Sequence, residues 1–491
     1  MIKIRLKSKL HPRARLGILP VSSFALVSAL ALLPAGCAVN PATGERQLIF
    51  ISERREIEMG READGQIVAL LGLYDDAELQ SYIQDLGAEM AGLSERPNLP
   101  WTFRIVDDPV VNAFALPGGF IYITRGIMVH LSSEAQLASV VGHEIGHVTG
   151  RHSVEQISRS QFFQLGLGVG SILSPTFRDL SGIAGAGLGL LTLKFGRGDE
   201  RQADDLGLRY MRRAQYDPRE MPGVFELLGR VSQARGGGGP PEWLSTHPDP
   251  ENRKERIEAA IAALNQDFEE STVARSSYLS RLDGMVYGVN PREGFFRDNL
   301  FLHPDLAFQI RFPEGWQTAN QKQGVLAVNQ NEAIIQLTLA QARSAGAAAD
   351  AFFAQQGVSG ARPRRRSING LTAYTGSFSA ASQQTRLEGE AAFVELGGNV
   401  FQIVAYGVAS SWGTNADAAA RSLRSFDRVT DPEVLSVQPK RLDIFTLPQA
   451  MTLNQFARGY STGLPIDELA LINQVDPDVR LPAGTLIKRA N

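Results

Sequence analysis

The sequence predicts a multidomain α+β chain: a mainly helical domain with a small sheet, then an α+β domain on an antiparallel sheet, then a small closing module. Three observations carry this. At 491 residues the chain exceeds one ordinary core. Between residues 51 and 265 apolar side chains recur at helical spacing, interrupted by three strand-like runs. Between 300 and 428 the period shifts to that of strands. Charge is balanced, with net −3 and a pI near 6.2, so bulk composition offers nucleic acid no footprint.

The first residues read as a targeting segment, 1–36. Lys3, Arg5, Lys7, Lys9, Arg13 and Arg15 precede an apolar run, Val21 to Leu33, too short to span a bilayer. The segment ends in Pro34-Ala35-Gly36-Cys37, and Cys37 is the only cysteine, which rules out intrachain disulfides. Small residues before a lone cysteine resemble a bacterial lipobox, although Pro34 stands where leucine is usual. That resemblance implies an acylated Cys37 as the mature N-terminus. Ala38, in place of a retaining Asp, implies an outer-membrane anchor facing the periplasm.

A short polar tether, 37–50, follows. Ser52 then caps a helix through Ile57, Ile67, Leu70 and Leu71, and Leu79, Ile83, Leu86 and Met90 mark a second. Trp101, Phe103 and Ile105 alternate as a strand. Asn112, Ala113, Phe114, Ala115 and Leu116 lead through Pro117-Gly118-Gly119 into Phe120–Thr124, a hairpin whose open edge can hold an extended peptide.

Next comes Val140-Val141-Gly142-His143-Glu144-Ile145-Gly146-His147-Val148. Four residues apart on a helix, His143 and His147 project from one face and can share one Zn²⁺, while Glu144 can act as general base. Ser133 with Gln136 reads as a capping box, and Leu137, Val140, Val141 and Val148 supply the apolar face. Glycine-rich apolar runs follow, Phe162–Leu173 and Leu180–Leu193, each too short for a membrane span. On the next helix Glu200 and Asp204 share a face, suited to a zinc carboxylate ligand and to a partner for a ligand histidine. Gly236 to Pro241 reads as a mobile stretch before His247. Asp249 then caps a helix with Pro250 at its first position, closing the domain near Asn265.

Four stretches, NAFALPGG, HEIGHVTGRH, ERQAD and THPDPENR, stand in the order found in metallopeptidase family forty-eight, which holds the CAAX prenyl proteases and periplasmic BepA-like proteins. The resemblance runs from about Asn40 to Asn265 and implies a gluzincin-type fold. It implies one Zn²⁺ on His143, His147 and Glu200, with Glu144 as base and Asp204 orienting a ligand histidine. It also implies Asn112 to Leu116 as the substrate-binding edge strand, and His247 as a fourth, regulatory zinc ligand. His152 is expected to hydrogen-bond rather than ligate.

After a connector, 266–299, strand-like runs at Phe308–Phe312, Val325–Val328, Ile334–Leu339, Ala391–Leu396 and Val400–Ala405 flank helices near Ala349–Gln355 and Ala416–Phe426. The domain, 300–428, is faintly similar to the PsbP-like fold. Arg362-Pro363-Arg364-Arg365-Arg366 reads as an exposed, solvated loop. Residues 440–491 resemble a LysM module, a βααβ glycan-binding unit, with Gln449-Ala450 where Gly-Asp is usual.

These features point to a zinc endopeptidase, lipid-anchored in the periplasm, acting on unfolded or misassembled envelope proteins. Peptidoglycan and the outer-membrane assembly machinery are the further partners implied. The alternative is a non-proteolytic chaperone or assembly factor with a latent metal site.

Overall fold

A computed structural model of the protein describes residues 37–167, 193–234, 247, 252–330, 332–381 and 386–491. The targeting segment, the second half of the first glycine-rich run, all of the second but Leu193, and the stretch Gly236 to Pro241 lie outside the described residues.

The stretch expected as a tether is a closed hairpin. Strand β1 (Cys37–Val39) pairs with β2 (Arg46–Leu48), and Asn40 closes the turn by accepting from the N–H groups of Ala42 and Thr43. Ser52 caps the first helix, Glu53–Leu71, by accepting from Arg55 N–H. The second helix, Ala77–Gly92, buries Leu79, Ile83, Leu86 and Met90 as their spacing predicts.

A three-stranded sheet follows in the order β3 (Thr102–Val106), β5 (Phe120–Thr124), β4 (Ala113–Leu116); β3 runs parallel to β5, and β4 antiparallel. Strand β4 is therefore an edge. Its turn to β5 passes through Gly118 and Gly119 at φ of 80° and 99°, a conformation glycine adopts freely. The turn rests on the first helix: a Cβ on Gly118 would meet Ile57 Cα at 2.6 Å.

The metal-bearing helix, Glu134–Thr149, runs through the centre, with every residue from Ala135 to Thr149 buried. It is buried all round rather than on one face, its polar side chains included, because elements pack on every side. Ser133 caps it by accepting from Gln136 N–H, but the Gln136 side chain reaches back to Ser132 N–H, so the expected reciprocal box is displaced by one residue. Helix Arg197–Arg213 packs against it backbone to backbone. A Cβ on Gly146 would meet Ala203 O at 2.8 Å, and one on Gly207 would meet His143 N at 3.0 Å. Small residues at 142, 146, 203 and 207 thus set the interhelical distance. The helix expected from Asp249 and Pro250 is described from Arg253 to Ala263, preceded by Asn252 at φ 100°; residues 248–251 lie outside the described residues.

Within 266–299, helix Arg275–Arg281 buries Tyr278 and Leu279, and the Tyr278 hydroxyl donates to Met128 O at 2.8 Å. The middle region carries an eight-stranded and a four-stranded sheet, all antiparallel, with helices Ala345–Phe353 and Ala409–Arg424. Arg364–Ile368 is a strand, not the expected loop. It pairs with Leu371–Ala381 and turns Ile368 into the core while its arginines face solvent.

The C-terminal unit runs strand Leu442–Thr446, helix Leu453–Gly459, helix Ile466–Asn473 and strand Leu486–Ala490, the two strands pairing antiparallel. Its Leu453, Phe456, Leu469 and Ile487 belong to the same apolar core as Met128, Leu137 and Val141. The fully buried Lys488 amine donates to the carbonyls of Val129, His130 and Leu131 at 2.9, 3.3 and 2.7 Å, at the end of a short helix just before the metal-bearing one.

Candidate metal centre

His143 and His147 lie one turn apart on the central helix, with their Nε2 atoms 3.0 Å from each other. Glu200, from the helix that packs through Ala203 and Gly207, brings Oε2 to 3.6 Å from His143 Nε2 and Oε1 to 3.5 Å from His147 Nε2. His247 completes the cluster, its Nδ1 2.9 Å from Glu200 Oε1 and 3.3 Å from His143 Nε2. All four residues are buried, and one ligating atom from each lies within 4.8 Å of the others. Tetrahedral zinc with bonds of about 2.0–2.1 Å sets its ligand atoms roughly 3.3 Å apart, so the spacing fits, as does a set of imidazoles and one carboxylate. Glu144 is fully buried beside them, its Oε1 3.7 Å from His247 Nε2.

Each helix histidine is held through its other nitrogen. His143 Nδ1 donates to Asp204 Oδ1 at 3.0 Å. Asp204 in turn accepts from Arg253 Nη2 at 2.5 Å and Arg256 Nη2 at 2.9 Å. Burial alone would raise the Asp204 carboxyl, but Arg253 and His143 outweigh it and hold it well below the usual range. Burial likewise opposes the ionised Glu200, and the His247, His143 and Arg253 charges overcome it. On the other side, His147 Nδ1 meets His152 Nδ1 at 3.0 Å, and His152 Nε2 meets Gln202 Oε1 at 2.7 Å. Burial pushes both His147 and His152 below their usual values, toward the neutral imidazoles that ligation needs.

The residues singled out in the sequence thus fall into two groups. His143, Glu144, His147, Glu200, Asp204 and His247 converge. Ala113 to Leu116 form the edge strand with Asn112 just before it, Cys37 lies in β1, and none of these belongs to the cluster. Three contributors were not anticipated. Arg253 stood in a quoted motif without a role, yet it binds Asp204, lies 3.1 Å from Glu200 and stacks over Phe225. Phe195 stacks on the His147 ring with centroids 4.0 Å apart. Gln202 lies between the two carboxylates of the E-x-x-x-D pair and bonds His152 rather than either of them.

Residues 77–261 match the family model described as Peptidase family M48. Among curated proteins, the mitochondrial metalloendopeptidase OMA1 of Arabidopsis thaliana is 35% identical over 187 residues, covering 38% of this chain and 37% of that one. The beta-barrel assembly-enhancing protease of Yersinia pestis is 32% identical over 270 residues, 53% of this chain and 54% of the relative. The protein of the same name from Escherichia coli K12 is 31% identical over 233 residues, 44% and 47%. The chain therefore spans about half the length, or less, of these relatives. Of solved structures, cyanobacterial PsbP (CyanoP) from Synechocystis sp. PCC 6803 aligns with 27% of this chain and 94% of its own, at 14% identity and a TM-score of 0.23. LpqN of Mycobacterium tuberculosis aligns with 25% and 83%, at 15% identity and 0.22. Scores this low support no conclusion. Residues 77–261 thus resemble the M48 metallopeptidases, beta-barrel assembly-enhancing proteases among them, and the buried His/His/Glu/His cluster they carry with His247 supports a zinc metalloendopeptidase site.

Proposed function

We propose that this chain is a zinc endopeptidase of the bacterial cell envelope, anchored through Cys37 on the periplasmic side and acting on unfolded or misassembled outer-membrane proteins. The observation that carries the reading is the buried convergence of His143, His147 and Glu200 beside Glu144. The names of the relatives, beta-barrel assembly-enhancing proteases among them, support the choice of substrate. Among the described residues no helix is long and apolar enough to cross a membrane, which suits attachment by a lipid.

In this reading His143, His147 and Glu200 hold the metal. Zinc bound there would supply Lewis acidity to the scissile carbonyl and to the attacking water, whose pKa it would bring toward about 7. Glu144 takes the proton from that water and passes it toward the leaving amine. Asp204 keeps His143 presenting Nε2. The substrate adds to β4: Asn112 O accepts from Thr124 N–H at 3.1 Å, and in an antiparallel ladder the alternation from that bond turns the main-chain groups of Ala113 and Ala115 outward. Recognition through the backbone accepts many sequences. Asn112 Oδ1 is buried with no protein partner among the described residues, placing an unused acceptor at the start of that edge.

The second reading, a latent site on a chaperone or assembly factor, is favoured by one feature. His247 supplies a fourth protein donor, and four protein ligands are the pattern of closed zinc sites. We read it as a latch on the resting enzyme, which reconciles the two views. In the C-terminal unit, the resemblance to LysM implies peptidoglycan as ligand.

The test is zinc content measured together with cleavage of an unfolded protein such as casein. Glu144→Gln is expected to keep one zinc per chain and lose at least a hundredfold in cleavage. Undiminished cleavage by that variant, or wild-type protein without stoichiometric zinc, would refute the mechanism.

A further inference from the structure

The segment after Cys37 reaches the metal centre through a chain of hydrogen bonds whose direction is fixed at its far end by the main chain. Asn40 is 2% exposed. Its Oδ1 accepts from Ala42 N–H at 2.9 Å and Thr43 N–H at 3.3 Å. Backbone N–H groups only donate, so the amide cannot be turned over, and Nδ2 must point the other way. There it donates to Gln202 Oε1 at 2.8 Å and to Gly150 O at 3.4 Å. The same Gln202 oxygen lies 2.7 Å from His152 Nε2. An amide oxygen only accepts, so His152 carries its proton on Nε2. A neutral imidazole has one N–H, which leaves His152 Nδ1 as an acceptor. Its partner at 3.0 Å is His147 Nδ1, which therefore donates.

We propose that Asn40, Gln202 and His152 are positioning residues that fix the tautomer of His147, keeping its proton on Nδ1 and its Nε2 lone pair directed at the metal. The proposal rests on His147 being a ligand. A separate observation supports it. Gly150 has an ordinary helical φ of −69°, so no backbone constraint calls for glycine there. A Cβ at that position would lie 2.4 Å from His152 Nε2 and 2.7 Å from Gln202 Oε1. The space a side chain would need is filled by the relay.

The arrangement makes an unusual prediction about Asn40. Asn40→Asp keeps the shape and both turn hydrogen bonds but replaces the donor by an acceptor. Gln202 must then turn its NH₂ toward His152, and the relay reverses as far as His147. Asn40→Ala removes the donor without reversing anything, although it damages the turn more. In the full-length protein, zinc affinity measured by chelator competition is expected to fall roughly tenfold or more in Asn40→Asp. It is expected to fall less in Asn40→Ala. Gln202→Glu, which still accepts from both neighbours, is expected to stay within about threefold of wild type. Gly150→Ala breaks the relay from its other side and should lose at least as much as Asn40→Asp, which covers the case of a poorly folding Asn40→Asp.

With seven histidines in the chain, ¹⁵N spectra of histidine-labelled, metal-free protein give a second readout. Wild type is expected to show His147 protonated at Nδ1 and His152 at Nε2. Zinc bound as tightly by Asn40→Asp as by wild type overturns the relay, as does Asn40→Ala weaker than Asn40→Asp, the order a merely structural turn would give. His147 protonated at Nε2 overturns it too. A wild type with the expected tautomers that binds no zinc supports the relay and refutes the metal-centre reading instead.

Discussion

His143 and His147 stand one helical turn apart and are braced by different chemistry. On the His143 flank the brace is charged: Asp204 accepts the Nδ1 proton and is itself held by Arg253 and Arg256. On the His147 flank every member is a neutral group, running through His152 and Gln202 to Asn40. A carboxylate has only lone pairs to offer, so it fixes its histidine whichever way it is turned. A chain of amides and imidazoles holds direction only if one end is pinned. Here the backbone of the β1–β2 turn pins it. The charged flank gains its certainty from ion pairing and carries the cost of burying one guanidinium group, that of Arg253, with Arg256 partly exposed; the neutral one avoids that cost but depends on remote chain.

The largest effect is expected from breaking the charged flank. Asp204→Asn leaves Arg253 buried without its main counter-charge, and losing one partner of such a pair costs about 3–5 kcal/mol. Urea denaturation should show that loss, and zinc affinity should fall about 10–100-fold. A variant with the wild-type midpoint would show that the two flanks are energetically alike. His247 belongs to neither flank. His247→Ala is expected to raise basal cleavage of an unfolded substrate several-fold with zinc retained. Lower activity with zinc retained would make His247 a contact for substrate instead of a latch. The smallest effect is expected from Lys488→Met, which lies outside both flanks and takes the donor from the Val129 and Leu131 carbonyls, while His130 O keeps Gln474 Nε2. It should cost about 1–3 kcal/mol in stability while zinc affinity stays unchanged. A change in zinc affinity there would mean that the C-terminal unit reaches the metal-bearing helix energetically.

The inner half of the charged flank, His143 with Asp204, was legible in the sequence because the ligand and carboxylate pairs repeat at helical spacing, whereas Arg253 and Arg256 were not. His143 with His147, and Glu200 with Asp204, each lie four residues apart, so one helix surface carries each pair. The relay was not legible. Asn40, Gly150, His152 and Gln202 come from separate stretches, and the decisive donors are backbone atoms of Ala42 and Thr43 that any residue type would supply. Arg253 sat inside a quoted motif, but its partner Asp204 lies 49 positions earlier and meets it only once the helices pack. The order of elements in the C-terminal unit, strand, helix, helix, strand, is the one its resemblance to a known small module implied, not one its spacing alone showed. The burial of Lys488 was not, since a lysine in a terminal strand ordinarily lies in solvent. The strand Arg364–Ile368 was missed for a related reason: three consecutive arginines suggest a loop, and only the neighbouring strand shows that the backbone between them is paired.

On the proposal that Cys37 carries the anchor, the short hairpin at the start of the described chain also sets where the enzyme can work. Cys37 is three residues from Asn40, and three extended residues reach about 10 Å. A group attached at Cys37 is on a leash that short, and the leash ends in the His147 brace rather than in a loose linker. In the anchored enzyme proposed above, the metal centre would be carried at a set height above the surface that holds Cys37, able to take chain segments that emerge there and unable to reach far into the space beyond.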